Sequence, residues 1–309
     1  MDEFIVSVKN LSHRYSVQWS VKDINLNIKK NGIYGLLGAN GAGKSTIMNI
    51  MCGVLRQTSG DVYIRGINMM DNPIEAKRYL GFLPQKPPVS NELTVEEFLH
   101  YAANLRLMDA KIIGKSVTEA MEKVGIGHFR KRLIGNLSGG YQQRVGIAQA
   151  IIHKPDFIVL DEPTNGLDPN QILEVRNLIR EIAQEHTVIL STHILQEVQA
   201  LCDHIWMINH GDLVFSGSIR EFDNYIIPES LLVTMIGAPS TEELKNIPGI
   251  VDATELGNYR YKIKFENAQE ATERIVEMSV ARGWRLVEIV QERNSLETIF
   301  TELSNKKKI

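Results

Sequence analysis

Nine residues near the start of the chain, Gly38-Ala39-Asn40-Gly41-Ala42-Gly43-Lys44-Ser45-Thr46, restrict its fold more than any other stretch. They fit G-x-x-x-x-G-K-[ST], a loop whose backbone N–H groups wrap a polyphosphate. Such wrapping needs close backbone approach, which glycine permits because it has no Cβ and tolerates positive φ. Lys44 can reach β- and γ-phosphates as a point charge, and the Ser45 hydroxyl can ligate Mg²⁺. The flanks suit the loop. Gly32-Ile33-Tyr34-Gly35-Leu36-Leu37 reads as a short buried strand, and Ile47-Met48-Asn49-Ile50-Met51 as helix. Thr46 onward is expected to open that helix, whose N-terminal dipole favours an anion.

The 309 residues are enough for one large domain and a smaller one. Apolar content of 43% and charged content of 23% are ordinary for a soluble globular protein. A net charge of −3 supplies no global basic field, so no nucleic-acid partner is expected. Cys52 and Cys202 lie far apart in predicted helices and read as small core residues of a reducing compartment. The acidic start, Met1-Asp2-Glu3-Phe4, lacks an apolar core segment and is not expected to be a signal peptide. No run approaches the roughly 18–20 apolar residues that span a bilayer. Any membrane role is therefore expected to run through a separate subunit.

Along the chain, residues 4–8 and 21–28 alternate like strands, with His13-Arg14-Tyr15 ahead of a turn between them. Tyr15 taken alone reads as a packing residue or as a stacking platform for adenine. Ser59–Gly66 reads as turn, strand, turn, and Leu80–Gln85 as a short strand ended by proline. Thr94-Val95-Glu96-Glu97 is a capping-box pattern. Helical spacing then runs from about 94 to 132, with breaks expected at Gly114 and Gly125-Ile126-Gly127. Residues 90–152 thus read as a helical subdomain inserted in an α/β domain.

Asn136-Leu137-Ser138-Gly139-Gly140-Tyr141-Gln142 follows. Ser138 is a plausible helix cap, and the glycines free N–H groups for an anion; an ordinary capped helix fits equally well. Phe157–Glu162 is an apolar run ending in two carboxylates, as expected of a doubly buried parallel strand with acids at its carboxyl end. Asp161 suits a Mg²⁺ ligand, and Glu162 suits a group that orients or deprotonates water. Thr187–Thr192 is a third strand, followed by His193, a candidate γ-phosphate sensor. Residues 205–208 and 213–215 flank His210-Gly211-Asp212 as a hairpin.

Together these motifs resemble the nucleotide-binding subunit of ATP-binding cassette transporters. Tyr15, the loop 38–46, Gln85, Leu137-Ser138-Gly139-Gly140-Tyr141-Gln142, the strand ending Asp161-Glu162, and His193 stand in the family's order. Asn165-Gly166-Leu167-Asp168 is similar to its D-loop. The likeness covers roughly residues 4–220, with Tyr141 at a variable signature position and Asn165 where a serine is common. It implies a P-loop NTPase core, RecA-like, with a parallel sheet and an antiparallel β edge, enclosing the helical subdomain. It implies ATP and Mg²⁺ as ligands. Tyr15 would stack on adenine, and Gly38 to Thr46 (with Ala39, Asn40, Gly41, Ala42, Gly43, Lys44 and Ser45) would hold phosphates. Ser45, Gln85 and Asp161 would serve the metal. Glu162, His193, Gln85 and Lys44 would act in hydrolysis. Ser138, Gly139 and Gly140 would bind the γ-phosphate of ATP held by a second copy or a related cassette, and Asp168 would cross that head-to-tail interface. The implied function is ATP hydrolysis that drives export through separate permease subunits, on the cytoplasmic face of the membrane. A soluble cassette ATPase acting on ribosomes, DNA or cluster assembly is the alternative. It is disfavoured by the single cassette, the lack of a long coiled-coil insertion, and the lack of a basic stretch before the last residues.

From about Ser218 the pattern changes. Leu231–Ile236, Val251–Leu256, Tyr259–Glu266 and Trp284–Gln291 read as strands, the middle two forming a hairpin around Gly257-Asn258. Thr241–Ile247, Ala268–Arg282 and Ser295–Ser304 read as helices. The order suggests a small ferredoxin-like α+β domain over 221–309, after a nucleotide-binding domain over 1–220. A similar tail, with a segment like Ser295-Leu296-Glu297-Thr298-Ile299-Phe300, occurs in cassettes of drug-export and gliding-motility systems. It is expected to serve dimerisation or regulation, or simply to pack. Lys306-Lys307-Lys308 reads as a solvated tail.

Overall fold

A computed structural model describes residues 4–29, 32–223 and 230–292. The chain divides into two compact units, 1–219 and 220–309. The first begins with β1 (Val6–Tyr15), β2 (Gln18–Ile28), β3 (Gly32–Leu37), α1 (Lys44–Met51), β4 (Ser59–Ile64), β5 (Ile67–Asn68), α2 (Pro73–Arg78) and β6 (Leu80–Leu83). Three helices follow, α3 (Val95–Leu105), α4 (Ala110–Lys123) and α5 (Gly139–Ile151). The core then resumes with β7 (Phe157–Asp161), α6 (Pro169–Ala183), β8 (Thr187–Thr192), α7 (Leu195–Leu201), β9 (His204–Asn209) and β10 (Asp212–Ser218).

A six-stranded sheet runs β10-β9-β3-β8-β7-β6. Its five inner and far-edge strands are parallel, and β10 pairs antiparallel with β9. Every residue of β7 and β8 is buried, because a parallel sheet carries cover on both faces. A second, antiparallel sheet runs β2-β1-β4-β5. One apolar core joins the two sheets through α1, from Val8, Leu26 and Val62 to Ile47, Met48, Val159 and Trp206. The P-loop core and antiparallel edge implied by the motifs are thus present.

Two local expectations for this unit are corrected. The strand expected over 4–8 extends to Tyr15, because register shifts along β1 interrupt its alternation and hide it from a period-2 reading. Gly114 does not break a helix but sits inside α4, with open space where its Cβ would be. The break falls at Arg106–Asp109 instead, where Leu107 takes φ 55° and Asp109 caps α4 through Lys111 N–H. The capping box at Thr94 does start α3, with Glu97 bonded back to Thr94. The two-residue turn His210-Gly211 has positive φ at both positions, the type I′ requirement, and closes the β9–β10 hairpin.

A short helix α8 (Ile219–Asp223) leads into the second unit. There β11 (Ser230–Met235), α9 (Thr241–Lys245), β12 (Ile250–Gly257), β13 (Arg260–Phe265), α10 (Ala268–Arg282) and β14 (Leu286–Glu292) follow in order. The sheet order β12-β13-β11-β14, antiparallel throughout, is the split βαβ ferredoxin-like arrangement. Its own core packs Leu231, Val233, Tyr261 and Ile263 of the sheet against Ile275 of α10 and Leu244 of α9. The β12–β13 turn sits one residue later than expected, on Asn258-Tyr259, because Gly257 belongs to a register shift at the end of β12. The expected helix over 295–304 and the terminal lysines lie outside the described residues.

Candidate active site

Strand register brings the chemistry together. Leu37 of β3 lies opposite Thr192 of β8, and Asp161 of β7 lies opposite Ser191. Three adjacent parallel strands therefore release the phosphate loop, Glu162 and His193 from the same sheet end, where open α/β sheets bind ligands. Gly38 N–H donates to Thr192 C=O at 3.3 Å, fastening the loop to β8.

The loop's glycines answer to space and to φ. A Cβ on Gly38 would stand 2.6 Å from the Ile208 carbonyl oxygen. Gly43 has φ 110°, and a Cβ there would stand 2.6 Å from Val21 Cγ1. Gly43 is also the N-cap of α1 and supplies no side-chain cap, so the first-turn N–H groups face outward. Lys44 is buried and donates to the Gly38 and Ala39 carbonyls at 2.9 and 3.2 Å. Its Nζ lies 3.5 Å from Glu162 Oε1. Burial lowers the Lys44 pKa, while Glu162 pulls the other way. A buried cation at an uncapped, glycine-lined helix start is a cradle that fits a polyphosphate.

Asp161 Oδ1 accepts from Ser191 Oγ and from Ser45 Oγ at 3.3 Å. Hydroxyl and carboxylate oxygens form a hard donor set of the kind Mg²⁺ takes alongside phosphate oxygens and water. Glu162 holds a left-handed backbone, φ 47°, with its N–H on Ser191 Oγ at 2.9 Å. Non-glycine residues rarely occupy that region without tertiary support, and such strain clusters at functional sites. Its carboxylate is pinned from several sides. Oε2 accepts from Gln85 Nε2 at 3.1 Å and Asn165 Nδ2 at 3.2 Å, and Oε1 lies 3.4 Å from His193 Nδ1. Gln85 thus engages Glu162 rather than Ser45 or Asp161. Thr46 Oγ1 pairs with Ser20 Oγ at 2.9 Å.

Tyr15 is half exposed beside a cleft of about 320 Å³ that it shares with Trp19, Ser20, Gly41 and His210. The His13 ring meets Tyr15 edge-on at 4.7 Å. The His210 hairpin turn is tied to the phosphate loop by Gly211 N–H on the Ala42 carbonyl at 3.0 Å. Asn40 is exposed, and Ala42 is buried. Sequence reasoning missed Trp19, Ser20, His210 and Ser191. Only the strand register places them here, and no local motif marks them.

Ser138, Gly139 and Gly140 stand apart. They start α5, with Ser138 at the N-cap, exposed and without a side-chain capping bond. A Cβ on Gly139 would meet nothing, whereas one on Gly140 would stand 2.7 Å from Gln171 Cδ. Among the described residues no hydrogen bond or ion pair joins these three to Gly38–Thr46. Asp168 is exposed and caps α6 by accepting from Gln171 N–H at 2.9 Å.

Comparison with known proteins agrees with this fold. The model of the ABC transporter family matches residues 21–165. The bacitracin transport ATP-binding protein BcrA of Bacillus licheniformis is 41% identical over 216 residues, covering 68% of each chain. The linearmycin resistance ATP-binding protein LnrL of Bacillus subtilis is 27% identical over 98% of this chain and 99% of its own length. Among solved structures, an ATP-binding cassette in a dimeric post-hydrolysis state with ADP and Pi superposes with TM-score 0.63 at 27% identity, covering 70% of this chain and 99% of that one.

Proposed function

The chain belongs to the ABC transporter family as an ATP-binding, ATP-hydrolysing subunit, and we propose that it drives export through separate membrane-spanning permease subunits. The observation that carries the catalytic part is the convergence on Glu162. One strained, buried carboxylate meets the lysine of the phosphate loop, the Gln85 amide and the His193 ring. Tyr15 stacks on adenine, and Gly38 to Thr46 hold the phosphates. Ser45 and Asp161 would hold Mg²⁺, with Gln85 turning to it from Glu162, and the ion would supply positive charge to offset that of the phosphates. Glu162 orients or deprotonates the attacking water, and His193 senses the γ-phosphate. Ser138 to Gly140 complete the site of a second copy, with Asp168 crossing the interface. Two self-complementary faces then enclose two nucleotides around a twofold axis. ATP bridging both halves favours the closed pair, and loss of the γ-phosphate releases it.

Among the described residues no helix is long and apolar enough to cross a membrane. In the proposed arrangement a permease supplies the path, and this chain sits on its cytoplasmic side. The named relatives serve bacitracin transport and linearmycin resistance; this cassette need not touch what is transported. The test is purification of the Glu162→Gln chain from detergent-solubilised membranes with ATP present. Co-purification of a polytopic membrane protein is the expected result. Ribosomal or DNA-associated proteins in its place would contradict the transport reading.

A further inference from the structure

A second buried carboxylate lies behind the first. Glu197, on α7, is 2% exposed, and none of the roles above uses it. Its Oε1 accepts from Thr164 Oγ1, and its Oε2 accepts from Thr192 Oγ1 at 2.6 Å. Both threonines are themselves buried. Thr164 stands two residues beyond Glu162, at the root of the exposed 165–168 loop. Thr192 ends β8 directly before His193, and its Oγ1 also accepts from Ile194 N–H at 3.0 Å, clasping the backbone on both sides of the histidine. Arg176, on the α6 helix that Asp168 caps, brings Nη2 to 3.6 Å from Glu197 Oε1.

A closed ring results. It runs from Thr164 through the 165–168 loop into α6, back through Arg176 to Glu197, and on to Thr192 and His193. A buried charge without partners is costly, so a carboxylate retained here must be held by donors that all stay in place. The donors come from the segment that follows Glu162, the segment that carries His193, and the helix started by Asp168. Displacement of any one strains the other two.

We propose that Glu197 is a positioning residue that locks the 165–168 loop to His193, so that movement of this loop sets the imidazole against Glu162. The inference rests on the assignment of Glu162 and His193 to hydrolysis. It differs from that assignment because Glu197 touches neither nucleotide nor metal and acts through the two threonines.

The test uses the full chain and measures kcat, KM for ATP, nucleotide affinity and melting temperature. Glu197→Gln is expected to lower kcat about 10-fold or more, as misplacement of reacting groups does, with KM and nucleotide affinity within about 2-fold of wild type. In a His193→Ala background the same change should add nothing further, because the group it positions is gone. Thr192→Val should lower kcat in the same direction and Thr192→Ser should restore it, a readout that stands if Glu197→Gln fails to fold. Equal kcat in Glu197→Gln and wild type, or an equal factor lost with and without His193, would overturn the inference and leave the site reading intact. Undiminished turnover in Glu162→Gln would overturn the site reading, and this inference with it.

Discussion

The helices α1 and α5 both have glycine at their start, and they begin differently. The first, α1, starts at Gly43 in a closed setting. Its lysine is buried, folds onto the loop's own carbonyls and faces Glu162, while Ser45 reaches Asp161. The second, α5, starts at Ser138-Gly139-Gly140 in an open one. Its cap hydroxyl makes no capping bond, and Gly139 faces empty space. Five other helices are capped by side chains, with Thr94, Asp109, Asp168, Ser240 and Asn267 each accepting from the first turn, whereas Asn72 before α2 and Ile194 before α7 make no such bond. At α5 the uncapped serine is exposed beside Gly139, so its hydroxyl is left open to an outside partner, at the cost of the stability a cap would have given the helix. We read the difference as two halves of one composite site. One half carries the reacting groups, and the other offers free donors to a nucleotide held by a partner copy.

Four substitutions can break or sharpen this contrast. The largest effect is expected from Lys44→Ala. Removing the one buried cation of the closed half should weaken ATP binding by roughly 10²-fold or more, measured by titration with a fluorescent nucleotide. Wild-type affinity would remove Lys44 from the phosphate site. Next comes Ser138→Arg in the open half. It should cut steady-state turnover about 10²-fold by removing the hydroxyl donor offered to the nucleotide of a partner copy, while pairing is retained and the chain alone binds ATP as before. A matching loss of ATP affinity in the monomer would place the signature in the same copy's site and dissolve the contrast. A smaller effect belongs to Thr94→Ala. Loss of a working cap should cost about 1 kcal/mol in urea denaturation, with ATP turnover per folded chain unchanged. Ser138→Ala should cost less stability than Thr94→Ala, and equal costs would show that the Ser138 hydroxyl caps α5 after all.

Much of this was legible in the residues because the signals were local. The phosphate loop has its own spelling. The strand Thr187–Thr192 and the helix Ala268–Arg282 fall where apolar runs and periodicity put them. The βαββαβ order of the second unit followed from turn and period signals in sequence. What escaped depends on distant partners. β1 is disguised by its bulges, and the helix break at Leu107 carries no glycine or proline to announce it. Ser191 meets Asp161 and Glu162 only because β7 and β8 pair in one register. Glu197 reads in sequence as one more acid on an amphipathic helix, and only the fold buries it between Thr164 and Thr192. The left-handed conformation of Glu162 has no sequence signal either, since the residue type argues against it.

The composite site can be tested by mixing two damaged copies. Glu162→Gln disables the closed half and spares the open one, whereas Ser138→Arg does the reverse. Each alone should hydrolyse ATP poorly. In a pair containing one of each, one nucleotide site collects both lesions and the other collects none. A 1:1 mixture is therefore expected to regain about a quarter of wild-type turnover, since half the pairs are mixed and each has one intact site of two. A mixture that shows no more than the mean of the two variants would contradict the account and assign both halves to a single chain.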